Sequence, residues 1–234
     1  MTRRFALLLL AAAKAKPASL FDGSSFRNFR TPSGLTGPEV SWRIEDGVLA
    51  TIPDARRQCD LWTAAEYDNF DLRFEWKVAP GGNSGIKYLI QAKATDKLHD
   101  AQGEFLHETS LGFEFQLVDD QSTAGSDQPA HVSGALYNYL PPTERAAKPA
   151  GEWNTGRLKV LGEDVEHWLN GKRVLAYSFS SPALKAALAA KRINSARMLE
   201  RLEHRKTAIA FQHHESQACF RSIDIQVLSA PVRN

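Results

Sequence analysis

The stretch Asp71-Leu72-Arg73-Phe74-Glu75-Trp76-Lys77-Val78 decides the fold class. Leu72, Phe74, Trp76 and Val78 fall on one side of an extended chain, Arg73, Glu75 and Lys77 on the other. A period of two marks a strand with one buried and one solvated face. Phe113, Phe115 and Leu117 alternate in the same way with Glu114 and Gln116. Ile209, Phe211 and His213 alternate with Ala210, Gln212 and His214, and Ile223, Ile225 and Val227 form a last run. Asp46-Gly47, Pro80-Gly81-Gly82-Asn83 and Asn170-Gly171 supply turns between the runs. Many strands, short turns and few helices predict an all-β protein, a β-sandwich or jelly roll.

One segment departs from that pattern. From Pro182 to Lys206 the chain is rich in Ala, Leu and Arg, follows a Ser180-Ser181 cap and begins on proline, so a helix is expected there. It carries seven basic and two acidic residues. The reading favoured is a solvated helical insertion packed on the sandwich edge, with Leu184, Leu188, Met198 and Leu202 facing inward. The stretch from Ala92 to Ser110 lacks a period and is expected to be a loop carrying His99 and His107.

The 234 residues include 43% hydrophobic and 24% charged side chains, the composition of a folded globular chain rather than a disordered or multi-span membrane protein. Lys and Arg number 29 against 27 Asp and Glu, a net charge of +2, too small an excess for a dedicated nucleic-acid binder. Arg3 and Arg4 precede an apolar run, Phe5 to Ala13, that ends in small residues. This order is that of a secretory leader over residues 1–15, and the run is too short for a transmembrane segment. Export to a periplasm or beyond is therefore expected, with residues 20–230 as one domain. Without the leader and the basic helix the rest of the chain carries a net −6. An acidic body with amides and aromatics suits neutral sugars better than phosphates. Cys59 and Cys219 are the only cysteines, enough for one disulfide or two buried thiols but not for a four-ligand zinc module. No serine or cysteine lies in a recognisable nucleophile turn.

Seven short motifs occur in order: Leu20-Phe21-Asp22-Gly23, Ile44-Glu45-Asp46-Gly47, Pro80-Gly81-Gly82-Asn83-Ser84-Gly85-Ile86, Glu114-Phe115-Gln116-Leu117-Val118-Asp119-Asp120, Ser133-Gly134-Ala135-Leu136-Tyr137, Gly151-Glu152-Trp153-Asn154 and His167-Trp168-Leu169-Asn170-Gly171. The series resembles the 3-keto-disaccharide hydrolase domain family from about Leu20 to Leu228. The resemblance implies a concanavalin A-like jelly roll of two curved antiparallel sheets. It also implies extracytoplasmic enzymes that cleave glycosides already oxidised to a ketone at C3. Family members close with Gln-Asp-His-Gly, whereas this chain has Gln212-His213-His214-Glu215. Gln212 and His214 match, and His213 keeps the core-facing parity.

A ketone at C3 acidifies the C2 proton. A base can remove it, the C1 substituent leaves by elimination, and water adds to the unsaturated product. This route needs a base, a donor to the enolate oxygen and an acid for the leaving oxygen. Glu114 and His214 are the candidates for base and acid, in either order. Lys87 or Gln116 would stabilise the enolate. Glu75, Asn83, Asn154 and Gln212 are candidates for binding sugar hydroxyls, and Tyr137, Trp153 and Trp168 for an aromatic platform. The polar parity of Glu75, Glu114, Gln116, Gln212 and His214 would let them converge if their strands were neighbours. Asp119 and Asp120 are carboxylates of the kind that bind calcium, but their spacing assigns no metal. The partner expected is a small-molecule carbohydrate. The other class open to this architecture is a non-catalytic, lectin-like carbohydrate-binding domain.

Overall fold

A computed structural model describes residues 17–122, 128–191 and 194–230. The leader expected over residues 1–15 lies outside them. Among the described residues fourteen strands form two sheets packed face to face. The larger sheet runs in the order β12 (Lys172–Ser178), β11 (Asp164–Leu169), β10 (Asn154–Leu161), β7 (Phe70–Val78), β14 (Ala218–Val227), β4 (Val48–Thr51), β3 (Trp42–Glu45), with β1 (Ala18–Ser19) also on β14. The second runs β2 (Phe29–Arg30), β6 (Leu61–Thr63), β13 (Ala210–Phe211), β8 (Asn83–Asp100), β9 (Gly103–Val118), β5 (Arg57–Cys59). All pairings are antiparallel except β5 with β9. The fold is a concanavalin A-like jelly roll.

The core lies between the sheets, where the period-two residues of both meet. Leu72, Phe74, Trp76 and Val78 from β7 pack with Ile86, Phe113, Phe115, Phe211 and Phe220. Removing that much aromatic surface from water is the main driving force of the fold. The rule fails at the end of β14, where Val227 is 60% exposed. One polar network crosses the core: Tyr177 Oη lies 2.5 Å from Tyr88 Oη, Tyr88 Oη 2.9 Å from His167 Nε2, and His167 Nδ1 3.0 Å from Gly134 O. Burial holds His167 down to about 4, so the ring is neutral and both nitrogens are satisfied. Cys59 and Cys219 are separate buried thiols rather than a disulfide. Burial pushes Cys59 up to about 12, so it is inert as a nucleophile.

Two sequence expectations change here. Residues 92–110 are not a loop but the outer arm of the β8–β9 hairpin, which turns at Ala101-Gln102. Lys93 to Lys97 are exposed, and the buried Phe105, Glu108 and Ser110 of the other strand follow no apolar alternation. The order of the arm comes from the backbone ladder and from Arg56, which donates to Asp100, Gly103 O and Glu104 O. The helical segment is a hairpin of two helices, α1 (Pro182–Lys191) and α2 (Asn194–Arg201). Leu184 and Leu188 face inward and Leu202 packs on the core, but Met198 is exposed and Leu199 takes its place. No helix among the described residues is long and apolar enough to cross a membrane.

Candidate active site

The register of the second sheet sets the site. Trp62 on β6 stands opposite Ala210, Ala210 opposite Lys87, and Lys87 opposite Glu114. Directly paired residues share a face, and this row points away from the core. Two residues along, Gln116 faces Gly85, whose carbonyl accepts from Gln212 N. Lys87, Glu114, Gln116 and Gln212 are nonetheless no more than 9% exposed. The segment 133–139 covers them, fastened to β9 by Gln116 N to Ala135 O, Gly134 N to Gln116 O and Tyr137 N to Glu114 O.

Glu114 has no cation in hydrogen-bond contact among the described residues; Gln212 Nε2 donates to it at a long 3.4 Å. Burial dominates its titration and pushes the carboxyl up to about 7, against a smaller opposing pull from Lys87. Such a group exchanges a proton near neutrality. The unfolded chain ionises this carboxyl near 4.5 and the folded chain near 7, so stability falls as pH rises through that window. By linkage the loss is about 3 kcal/mol. Glu114→Gln, neutral at every pH, is expected to melt several degrees above wild type at pH 8.5 and with it at pH 4, as read by paired thermal scans.

Gly85 makes the space for this carboxylate. A Cβ there would stand 2.5 Å from Glu114 Oε1 and 2.8 Å from its Cδ. Because the obstacle is a side chain, Gly85→Ala would move the carboxylate rather than the backbone. An activity loss of about 10²-fold follows from that misplacement, with circular dichroism and Tm close to wild type. A loss of fold instead would mean that Gly85 serves the strand.

Lys87 belongs to a second cluster that includes a residue sequence reasoning missed. Its Nζ donates to Asp60 Oδ2 at 3.1 Å and to Thr109 Oγ1 at 2.8 Å. Asp60 is fully buried between β5 and β6 and also accepts from Ser110 N and His213 N. Asp60 and Leu61 break the period between two short strands, so no alternation pointed to it. An ammonium has three donors, and the two bonds leave one for a ligand. Trp62 was missed too; its indole N–H donates to Ser110 Oγ and Arg30 lies over its ring. Tyr137 shares a pocket with Lys87 and Glu114, and burial raises its phenol, keeping it a donor. The side-chain carbonyls of Gln116 and Gln212 are buried with no partner among the described residues.

Other candidates lie elsewhere. Glu75 is on β7 in the opposite sheet, paired with Arg221. Trp153 is beside it, with Arg221 and Lys77 against its ring, and Trp168 is near, under Arg157. Glu75 lies on the polar face its alternation required, but parity says nothing about which sheet a strand joins. Asn154 is structural: its Oδ1 accepts from Lys148 N and Asn170 Nδ2. Asn83 stays at the site's edge, accepting from Gln116 Nε2. His214 is exposed beyond β13, with no hydrogen bond to Glu114 among the described residues. His213 is in the core against Trp42, as its parity required. Glu215 adopts φ +52, which explains why glycine suits that position in the family motif. Asp119 and Asp120 accept from the backbone of Gly81, Gln121 and Ser133. No cluster of three or more His, Cys, Asp or Glu suited to a metal occurs among the described residues.

The model of the 3-keto-alpha-glucoside-1,2-lyase-like domain matches residues 16–226. The chain belongs to that family. A 3-keto-disaccharide hydrolase of Bacteroides thetaiotaomicron is 30% identical over 228 residues, covering 90% of this chain and 78% of the relative. A crystal structure from Parabacteroides distasonis, assigned as a glycosyl hydrolase, superposes with a TM-score of 0.72 at 25% identity, covering 90% of this chain and 93% of the other. The exoplasmic/lumenal domain of VIP36, at 11% identity and a TM-score of 0.50 over 94% of this chain and 93% of the other, shares the fold. By its family the protein is a carbohydrate-active enzyme.

Proposed function

We propose that the protein cleaves 3-keto-glycosides by elimination and hydration. The observation that carries this reading is Glu114: a buried carboxylate without a cationic partner, near neutral in pKa, facing a lysine across one strand pair. Glu114 removes the C2 proton, and the electron pair enters the C2–C3 enolate, whose oxygen Lys87 Nζ meets with its free proton. Collapse of the enolate restores the ketone, forms the C1–C2 double bond and expels the C1 oxygen, which takes a proton from Tyr137. Water then adds its hydroxyl to C1 and a proton to C2, for a net hydrolysis. The buried carbonyls of Gln116 and Gln212 accept sugar hydroxyls, whose donors offset the cost of leaving those acceptors unpaired. An ordinary retaining glycosidase needs two carboxyl groups about 5–5.5 Å apart, and the nearest carboxylate in this cluster, Asp60, is already paired with Lys87. We propose further that the enzyme acts outside the cytoplasm, on the strength of the leader over residues 1–15.

The test is turnover of a methyl 3-keto-α-glucoside against methyl α-glucoside by the purified protein. Cleavage of the keto form alone is expected. Tight binding of both without turnover would instead favour a lectin-like protein.

A further inference from the structure

Tyr137, Asn138 and Tyr139 all line the cavity of about 160 Å³ that contains Lys87 and Glu114. They are the tip of one tight turn, closed by the backbone bonds Leu136 N to Leu140 O and Leu140 N to Leu136 O. At its centre Asn138 adopts φ +69, in the left-handed region that glycine enters without cost and asparagine tolerates. A side chain kept at such a position, beside a reactive carboxylate, points to a use for that side chain.

The amide of Asn138 is held in one orientation. Lys191 Nζ, at the end of α1, is 3.3 Å from Oδ1, and His131 Nε2 is 2.9 Å from the same atom. An ammonium only donates, so the atom between them is the carbonyl oxygen, and His131 carries a proton on Nε2. Two donors fill the two lone pairs of that oxygen. What is left of the amide is Nδ2, which has no hydrogen-bond partner among the described residues and is not sealed from solvent.

Resting on the elimination reading above, we propose that Asn138 is a specificity residue whose Nδ2 donates to a hydroxyl oxygen of the keto sugar at C4 or C6. The cavity is in the size class that takes up one six-membered ring, and the keto sugar fills it. With C2 at Glu114, the C3 oxygen at Lys87 and the C1 oxygen at Tyr137, the C4 and C6 hydroxyls are the ones away from the reacting bonds. The competing role is structural: Asn138 would only clip α1 and His131 to the turn. Asn138→Asp separates the two, because a carboxylate still accepts from Lys191 and His131 but has no N–H to give.

The test is calorimetric binding of methyl 3-keto-α-glucoside and its 4-deoxy and 6-deoxy analogues, with and without Asn138→Asp. It is run in the Glu114→Gln protein, where bound sugar is not turned over and no carboxylate at 114 repels the new one. Asn138→Asp is expected to weaken binding of the parent sugar by about fivefold, the net value of one hydrogen bond. One deoxy analogue should lose the same factor, and the other, which lacks the accepted oxygen, should bind both proteins equally. If Asn138→Asp fails to fold, Asn138→Gly, which suits φ +69, makes the same comparison. Equal losses on all three sugars, no loss on any, or no binding of the parent would overturn the proposal. If the expected pattern appears but the wild-type enzyme does not turn over the parent sugar, the elimination reading fails and the role of Asn138 stands.

Discussion

Glu114→Gln is expected to reduce turnover of a 3-keto-glycoside by about 10³-fold, the middle of the range for removing a general base. The amide keeps the shape and the long hydrogen bond from Gln212, so the protein should fold and bind its substrate with a KM near wild type. The pH profile should change with it. A base must be ionised, so wild-type kcat/KM rises with pH through about 7 as the Glu114 carboxyl loses its proton. In Glu114→Gln that limb disappears. If the variant keeps more than a tenth of the wild-type rate, Glu114 is not the base and His214 becomes the candidate.

Lys87→Met is expected to have the largest effect on stability. Asp60 is fully buried and Lys87 supplies its only cation among the described residues. Removing one partner of a buried pair leaves an uncompensated charge, at a cost of about 3–5 kcal/mol. The double variant Asp60→Asn/Lys87→Met should recover most of that stability, because neither member of the pair is left as an unpaired charge. It should recover no activity, because the donor to the enolate oxygen is still missing. Chemical denaturation and a turnover assay on the three proteins decide the matter. Recovery of activity along with stability would reduce Lys87 to a structural role.

The strands that build the site were legible because they obey a strict period of two. Glu114 and Gln116 were placed on a polar face by the Phe113, Phe115 and Leu117 that oppose them, and Gln212 by Ile209 and Phe211. Parity left open which strands become neighbours, and so Glu75 was grouped with residues on the other sheet. Asp60 stayed hidden for a different reason: it stands at the break between two three-residue strands, too short for any period to show. The arm of residues 92–110 was misread because one strand is exposed from Lys93 to Lys97 and the other buries Phe105, Glu108 and Ser110, so neither shows the apolar alternation that reveals a strand. The helical insertion was read correctly as helical and as packed on the edge. Leu199, rather than the Met198 expected to face inward, lines the pocket.

Elimination through C2 leaves a record that direct displacement at C1 does not. The decisive measurement is the fate of the C2 hydrogen when a 3-keto-α-glucoside is cleaved in D2O, followed by NMR within the first turnovers against an enzyme-free control. Abstraction by Glu114 followed by hydration delivers deuterium to C2 of the released sugar, and C2-deuterated substrate should react more slowly in H2O. Retention of the original hydrogen at C2 with no isotope effect, or equal cleavage of the unoxidised glucoside, would contradict the mechanism.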